Sequence, residues 1–246
     1  MGSTDLNSLL VIVTGGSSGI GRATALAFHR AGSRVAILGR DQAKLEQVLR
    51  DVSPADRLHA FVCDVSDRLA VERVFEEIFR RLGTPDVLVN NAGINVPNRD
   101  LRSLRPEDWD RMLAVNATGA FNCLWAVLPA MRRRGSGLIV NVVSVSGKRV
   151  YQVAGAAYCA SKFALAALGL ATLIEEKQHG IRVTNIYPGE VNTPILSQRP
   201  TPVPPERLQS MLQPEDVAEM ILAVARLPAR VCVPEIVITP LYQEYA

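Results

Sequence analysis

The sequence predicts an α/β fold in which helices cover both faces of a parallel β-sheet. Short apolar runs of strand length alternate with longer helical patterns along the chain, and this alternation is typical of strands joined by right-handed helical crossovers. Most of the runs are apolar without alternation, as expected for strands that are buried on both faces. A glycine-rich turn joins the first run to the first helical pattern. At 246 residues, the chain is expected to form one domain over 1–246.

Seven runs have the length and composition of β-strands. They span residues 9–14, 34–38, 59–63, 87–89, 138–143, 182–186 and 235–239. Capping residues predict where the helices between them begin and end. Gly32 is expected to end the helix over 21–31, Asp41 to cap the helix over 42–50, and Ser66 to cap the helix that ends before Gly83. Prolines suited to the first helical position predict two further helix starts, at Pro106 and Pro214.

The composition excludes several classes of protein. Hydrophobic residues make up 48% of the chain and charged residues 21%, which is too apolar for a disordered protein. The net charge is +3, and so small an excess provides no basic field for nucleic acid or for an anionic membrane. The three arginines at 132–134 are interpreted as the solvated C-terminal end of a helix.

No targeting segment, membrane segment or metal site is predicted. The first residues, MGSTDLNS, lack the positively charged region of a signal peptide. The most membrane-like segment, 155–174, carries Lys162 near its middle, and a central lysine costs about 2.5–3.5 kcal/mol on insertion scales. We therefore expect a buried helix there. Four scattered cysteines without a C-x-x-C pair, and three histidines, indicate neither disulfides nor a metal site, and a reducing, cytoplasmic location.

The glycine-rich turn has the composition of a phosphate-binding loop. Glycines permit a tight turn and a close approach to a pyrophosphate, and the helix that follows offers free N–H groups and the positive end of its dipole. The spacing is G-x-x-x-G-x-G, and no Lys-Ser or Lys-Thr follows, which excludes a P-loop NTPase. The residues expected to bind the pyrophosphate are Gly15, Ser17, Ser18, Gly19, Ile20 and Gly21.

Six motifs, in one order, resemble those of the short-chain dehydrogenases/reductases. They are TGGSSGIG at 14–21, NNAG at 90–93, VNATG around Asn116, Ser144 after the fifth strand, the Y-x-x-x-K pair Tyr158 and Lys162, and Pro188-Gly189 with Thr193 beyond. The resemblance covers about 9–238 and implies a Rossmann fold, with a doubly wound, seven-stranded parallel sheet in the order 3-2-1-4-5-6-7. It also implies an NAD(P)-dependent oxidoreductase that transfers hydride between the nicotinamide and a small-molecule secondary alcohol or carbonyl.

Tyr158 and Lys162 are four residues apart and therefore lie on one face of a helix. A free tyrosine has a pKa near 10, and a nearby ammonium together with the oxidised nicotinamide is expected to lower that pKa. The resemblance makes Tyr158 the general acid/base and Ser144, rather than its rival Ser146, the donor to the substrate oxygen. It also implies that Lys162 holds the nicotinamide ribose. Asn116 is implied to hold a water that links Lys162 to solvent, the alternative being a packing role.

The end of the second strand favours NADP(H). An acid there would bind the ribose hydroxyls and repel a 2′-phosphate; here Gly39 takes that position and Arg40 follows, and a guanidinium binds phosphate bidentately. NAD(H) remains possible, because no basic residue precedes Gly19 in the loop and because Asp41 is the acid if the alignment shifts by two. Asp64 is implied to bind the adenine amino group, or else to cap a helix. The other implied cofactor contacts are Val65, Asn91, Ala92, Gly93, Tyr158, Lys162, Pro188, Gly189, Val191 and Thr193.

A proline-rich loop at about 194–212 and the segment 95–99 are expected to shape the substrate site. Arg199 in that loop is interpreted as solvated, with binding of a substrate carboxylate as the alternative. The tail from Leu227 resembles that of a subgroup containing 3-hydroxy-acid and serine dehydrogenases.

The helix over 155–174 is apolar almost all round, so we expect a partner copy to cover it, in a homodimer or homotetramer. The helix around 109–131 is the second expected interface element, and Leu168 the residue chosen to probe the interface. Two other functions stay open. One is a lyase, epimerase or dehydratase on this fold, and the other is a cofactor-binding regulatory or structural protein without turnover.

Overall fold

The computed structural model of the chain describes residues 4–52 and 55–244. Within these ranges seven strands form one parallel sheet in the order 3-2-1-4-5-6-7, which confirms the predicted Rossmann fold. Each strand begins and ends within two residues of its expected position. The strands are β1 (Leu10–Thr14), β2 (Arg34–Gly39), β3 (Leu58–Val62), β4 (Val87–Asn90), β5 (Gly137–Val142), β6 (Ile181–Pro188) and β7 (Glu235–Ile238). The first three residues of MGSTDLNS, where no signal peptide is expected, lie outside the described residues.

Helices cover both faces of the sheet. They are α1 (Gly19–Arg30), α2 (Gln42–Arg50), α3 (Arg68–Leu82), α4 (Pro106–Leu113), α5 (Gly119–Arg134), α6 (Ala156–Glu176), α7 (Pro205–Ser210) and α8 (Pro214–Arg226). One apolar core lies between the sheet and α1, α2 and α8, and a second lies between the opposite face and α3, α5 and α6. This doubly wound arrangement places the carboxyl ends of all seven strands at one edge of the molecule.

The helix ends follow the capping residues with one exception. Asp41 caps α2, since its carboxylate accepts from the Lys44 N–H at 3.1 Å, and Gly32 follows α1 with a φ of +92°. The expected cap of α3 by Ser66 is wrong. Asp67 caps α3, accepting from Ala70 N–H at 3.1 Å, whereas the Ser66 hydroxyl is engaged in donating to the Asp64 carboxylate at 2.6 Å.

One expectation for α5 is confirmed and one for α6 needs correction. The three arginines at 132–134 lie in the last turn of α5 and are exposed, and two of them also form ion pairs, Arg132 with Glu176 and Arg134 with Asp86 at 3.0 Å. Leu168 packs against the core instead of facing outward; in a helix that is apolar almost all round, the sequence pattern does not distinguish the two sides. Arginine at Leu168 would therefore disturb the fold itself.

Two helical stretches among the described residues, Pro106–Arg134 and Ala156–His179, are long and apolar enough to cross a membrane by length and composition. About half of each apolar window is buried within the protein, 50% and 44% respectively. Core helices that pack on a sheet pass the same test.

Candidate active site

The carboxyl ends of the strands open into a cleft of about 1130 Å³. This exceeds the roughly 300–1,000 Å³ of most small-ligand sites, and so leaves room for a dinucleotide beside a substrate. Gly21 and Asn116, both expected at the site, lie behind its wall. The expected site residues that line it are Gly15, Ser17, Ser18, Gly19, Ile20, Arg40, Asp64, Val65, Asn91, Ala92, Gly93, Ser144, Tyr158, Lys162, Pro188, Gly189, Val191 and Thr193.

The glycine loop has the geometry of an anion cradle. Gly15 and Gly19 have positive φ values of +64° and +52°, and a Cβ on Gly15 would lie 2.9 Å from the Asn91 Nδ2. Gly21 is needed for packing, because a Cβ there would lie 2.3 Å from the Gly15 carbonyl oxygen. Ser18 precedes α1 without a capping hydrogen bond from its side chain. The first N–H groups of α1 therefore remain for a ligand such as a pyrophosphate.

Asn91 braces this loop from β4. Its Nδ2 donates to the main-chain oxygens of Thr14 at 2.9 Å and Gly15 at 3.2 Å. The N–H groups of Asn91 and Ala92 both donate to the Thr14 hydroxyl at 3.0 Å. The Asn91 side chain thus shapes the loop, while the main chain at 91–93 forms the cleft wall.

The end of β2 carries no carboxylate in the position of a ribose acceptor. Gly39 ends the strand, Arg40 follows on the cleft wall, and Asp41 is engaged as the cap of α2. The Arg40 guanidinium lies 3.9 Å from Asp64. Asp64 itself does not cap α3; it accepts from the N–H and hydroxyl of Ser66 at 2.9 and 2.6 Å.

Three polar side chains meet at the inner end of the cleft. Lys162, buried on α6, donates from Nζ to the Val142 carbonyl oxygen at 3.0 Å, and its Nζ lies 5.6 Å from the centre of the Tyr158 ring. The Ser144 hydroxyl lies close enough to the Tyr158 phenol to lower the pKa of that phenol. Ser146, the rival, donates its main-chain N–H to the Ser144 Oγ at 3.1 Å. Of the two serines, Ser144 is therefore the one whose side chain acts on the tyrosine.

Burial dominates the protonation of both titratable groups. It raises the pKa of Tyr158 to about 12, against the opposing effects of the Ser144 hydrogen bond and the Arg99 charge. It lowers the pKa of Lys162 to about 8. The expected lowering of the Tyr158 pKa is therefore not a property of the protein alone, because desolvation of the phenolate outweighs its polar neighbours.

Asn116 lies in a π-helical turn, Ala114–Thr118, between α4 and α5. Its Oδ1 accepts from Ile94 N–H at 2.7 Å, and its Nδ2 donates to Ile94 O and to the Ser161 hydroxyl, both at 3.0 Å. Both amide N–H donors are thus engaged, while Oδ1 keeps a second acceptor position, so a water bridge toward Lys162 can use Oδ1 or the main-chain carbonyl of Asn116. A Cβ on Gly93 would lie 3.5 Å from both the Asn116 Oδ1 and the Lys162 Nζ, which places both groups beside the cleft wall.

A family model described as short chain dehydrogenase matches residues 9–203. The chain belongs to the short-chain dehydrogenase family. An uncharacterised oxidoreductase of Staphylococcus haemolyticus is 32% identical over 237 residues, which cover 96% of this chain and 99% of that protein. An alcohol dehydrogenase from the archaeon Thermococcus sibiricus, complexed with 5-hydroxy-NADP, has a TM-score of 0.86 at 29% identity, covering 96% of this chain and 98% of the other. The closed form of serine dehydrogenase complexed with NADP⁺ has a TM-score of 0.87 at 31% identity, covering 97% of each chain.

The outer end of the cleft in this short-chain dehydrogenase is held by Glu190, just after β6. Its carboxylate accepts from Arg199 at 2.7 Å, from Arg207 at 2.8 Å and from the Tyr242 hydroxyl at 2.6 Å. The Glu190 N–H donates to Gln243 Oε1 at 2.9 Å. The expectation that Arg199 is solvated is therefore wrong, because the Glu190 carboxylate binds it.

Among the residues of the cleft wall that sequence reasoning missed are Lys44, Glu190 and Tyr242. Lys44 lines the wall near Arg40, and Glu190 and Tyr242 meet across 52 positions of sequence. Lys44 carries no motif, and contacts between distant segments leave no local pattern. Arg99, within the segment expected to shape the substrate site, is buried there with 6% of its surface exposed.

Proposed function

We propose that this short-chain dehydrogenase prefers NADP(H) and transfers hydride between the nicotinamide and a small-molecule secondary alcohol or carbonyl. The observation that carries the proposal is that half-buried Tyr158 and Ser144 and buried Lys162 line the same cleft as the glycine loop. A tyrosine beside a serine hydroxyl and a lysine suits proton transfer at an oxygen atom. The family and the NADP complexes of its structural neighbours support the same reaction class.

In this reaction the protein moves a proton and fixes geometry. When bound, the nicotinamide cofactor supplies or accepts the hydride. Tyr158 gives its phenolic proton to the carbonyl oxygen during reduction and takes the hydroxyl proton during oxidation. Ser144 donates a hydrogen bond to the same oxygen and polarises the carbonyl. Lys162 stabilises the phenolate and binds the ribose hydroxyls, and Asn116 positions the wall behind it.

The cradle fits a dinucleotide, since Gly15 and Gly19 adopt positive φ values in the loop and the first N–H groups of α1 have no side-chain cap. We assign the pyrophosphate to the loop and to the uncapped start of α1, and the adenine to Asp64 and Val65. We assign the binding of the nicotinamide side of the cofactor to the main chain at 91–93, to residues 188–191 and to Thr193. We further propose a single cytoplasmic domain that acts on a small molecule and assembles as a homodimer or homotetramer.

The cofactor preference rests on Arg40. The wall near it also holds Lys44, and no carboxylate ends β2. Arg40→Asp is expected to move the preference from NADP(H) toward NAD(H), with a loss of roughly 1.5–3 kcal/mol in NADP(H) binding, the range for charged hydrogen bonds. Fluorescence titration of NADPH and NADH against both proteins measures the shift. A parent protein that prefers NADH, or an unchanged NADPH affinity in the variant, would contradict the assignment.

A substrate panel tests the reaction itself. The purified protein is assayed with NADP⁺ against secondary alcohols and with NADPH against ketones and aldehydes, following absorbance of the reduced cofactor. We expect turnover on at least one compound class. Tight NADPH binding with no turnover on any compound would instead support a regulatory or structural protein. Conversion of a substrate without net cofactor oxidation or reduction would support a lyase, epimerase or dehydratase.

A further inference from the structure

We propose that the substrate of this reaction carries a carboxylate and that Arg99 binds it. The assignment rests on the proposed function, because it names the substrate class of the same cleft. Arg99 lines the cleft and is 6% exposed. No carboxylate of the described residues lies within ion-pair distance of its guanidinium. A buried cation without a carboxylate is costly, and an anion that enters the cleft removes that cost.

The hydrogen bonds of Arg99 leave a free edge. Its Nε donates to Val96 O and its Nη1 to Val153 O, both at 2.8 Å, and its Nη2 donates to Gln198 O. A guanidinium has five N–H groups, so two remain without a partner among the described residues, one on each terminal nitrogen. Two such donors in a planar fork match the two oxygens of a carboxylate.

The surrounding charges strengthen the argument. Glu190 is shared by Arg199 and Arg207, in ion pairs of 2.7 and 2.8 Å. The charge of Arg199 lowers the pKa of the Arg99 guanidinium, in addition to the effect of burial. Arg99 and Arg199 therefore act on each other as like charges, while the Glu190 carboxylate is shared by Arg199 and Arg207. Glu244 on this part of the wall is exposed, and so is Asp100, whose charge raises the pKa of Arg99 without forming an ion pair with it.

Arg99 also lies near the reacting group. Its charge lowers the pKa of Tyr158, and its main chain contacts the start of α6, where a Cβ on Gly155 would lie 2.6 Å from the Arg99 Cβ. The carboxylate that binds Arg99 and the oxygen atom that reacts at Tyr158 therefore belong to one small substrate molecule. The class that fits is a small hydroxy acid, or the corresponding oxo acid in the reverse direction.

The test compares acids with neutral molecules of the same shape. Small hydroxy acids with the hydroxyl at the second, third or fourth carbon are each assayed beside their primary amides, with NADP⁺ as cofactor. We expect kcat/KM for the best acid to exceed that of its amide by at least ~10-fold, the scale of one charged hydrogen bond. Arg99→Met should bring this ratio close to one, because kcat/KM for the acid should fall by more than kcat/KM for the amide, and Arg99→Lys should keep part of the ratio. Arg102→Met, an exposed arginine on the same segment, should leave the ratio unchanged.

Each other outcome has a defined meaning. If Arg99→Met lowers kcat/KM for the acid and for its amide equally, Arg99 only holds segments of the cleft wall together. That result would overturn the proposal. If that variant is unstable, Arg199→Met provides the test, since it too should lower the ratio; no change there overturns the proposal. If phosphorylated alcohols are turned over in preference to hydroxy acids, the group that binds Arg99 is a phosphate. That result would overturn the proposal of a carboxylate substrate.

The experiments distinguish failure of the proposed reaction from failure of the proposed carboxylate site. Turnover of neutral alcohols with no preference for acids would support hydride transfer and refute a carboxylate substrate. If no compound is oxidised, calorimetric titration with propanoate and propanamide still reports on Arg99. Binding of propanoate alone, lost in Arg99→Met, would keep the anion site and refute the reaction. Binding of neither would refute both.

Discussion

Lys162 shows how a functional side chain can oppose stability. Its ammonium is buried and donates to the Val142 carbonyl oxygen, and no described carboxylate pairs with it. Desolvation consequently lowers its pKa to about 8. In the reaction proposed above, a cation kept in this state is available to stabilise the phenolate of Tyr158.

Lys162→Met is expected to stabilise the protein without ligands while abolishing turnover. At pH 7 the parent holds a buried ammonium whose pKa has fallen from 10.5 to about 8, so the gain is roughly 1–3 kcal/mol, at about 1.4 kcal/mol per tenfold change. Between pH 8 and 10.5 the unfolded chain binds a proton that the folded chain lacks, so the parent becomes more stable as pH rises. The difference in Tm between variant and parent should therefore shrink from pH 7 to pH 10. A variant that is less stable at pH 7 would contradict this account.

Tyr158→Phe is expected to lower kcat by at least ~100-fold, the low end for general acid–base catalysis, because the ring stays packed while the proton is lost. NADPH affinity should stay within a few-fold of the parent, and its fluorescence titration serves as the control for folding. A variant that turns over near the parent rate would remove Tyr158 from the reaction.

At the scale of elements, Glu190 connects three segments that border the substrate end of the cleft. They are the turn after Thr193, which leads to Arg199, the helix α7 with Arg207, and the C-terminal tail with Tyr242. None of these segments belongs to the sheet. Their placement depends on one buried carboxylate whose side chain is 13% exposed.

Glu190→Gln is expected to loosen this part of the cleft wall, because an amide gives both arginines a weaker partner than a carboxylate. Cleavage by trypsin after Arg207 should become at least ~10-fold faster under native conditions; Arg199 is followed by Pro200 and gives no tryptic site. Glu235→Gln is a matched control, since Glu235 pairs with Lys148 at 2.7 Å on β7, away from the loop. Equal cleavage rates in parent and Glu190→Gln would show that other contacts hold the segment.

The elements themselves could be predicted from sequence, and their long-range contacts could not. Buried parallel strands read as continuous apolar runs, so all seven were located closely. Most motif residues reached the cleft because they follow such a strand or lie in the first turns of a helix, whereas Gly21 and Asn116 lie behind its wall. The cap of α3 was misplaced because Ser66 and Asp67 are both good caps. The ion pair between Arg199 and Glu190 depends on how the loops fold over the edge of the sheet, and so does the burial of Arg99. The residues next to them in sequence do not indicate either contact.

At the scale of the whole molecule, α5 and α6 expose an apolar surface. Phe121 and Trp125 on α5, and Phe163, Leu170 and Ile174 on α6, are all exposed. The small residues Ala164, Ala167 and Ala171 lie on the same outward side of α6. Contiguous apolar surface of this kind marks an association site, and small residues allow two helices to approach closely.

We predict that Trp125→Arg weakens assembly. Trp125 is 60% exposed, so an arginine there costs the monomer little, whereas across a two-fold axis it would bring two cations into one apolar interface. Light scattering at micromolar concentration should show a dimer or tetramer for the parent and a lower mass for the variant. Leu101→Arg, at an exposed apolar residue on the loop before α4, should leave the mass unchanged. If the parent is a stable, active monomer, this surface has another partner; if Trp125→Arg keeps the parent mass, the interface lies elsewhere on the molecule.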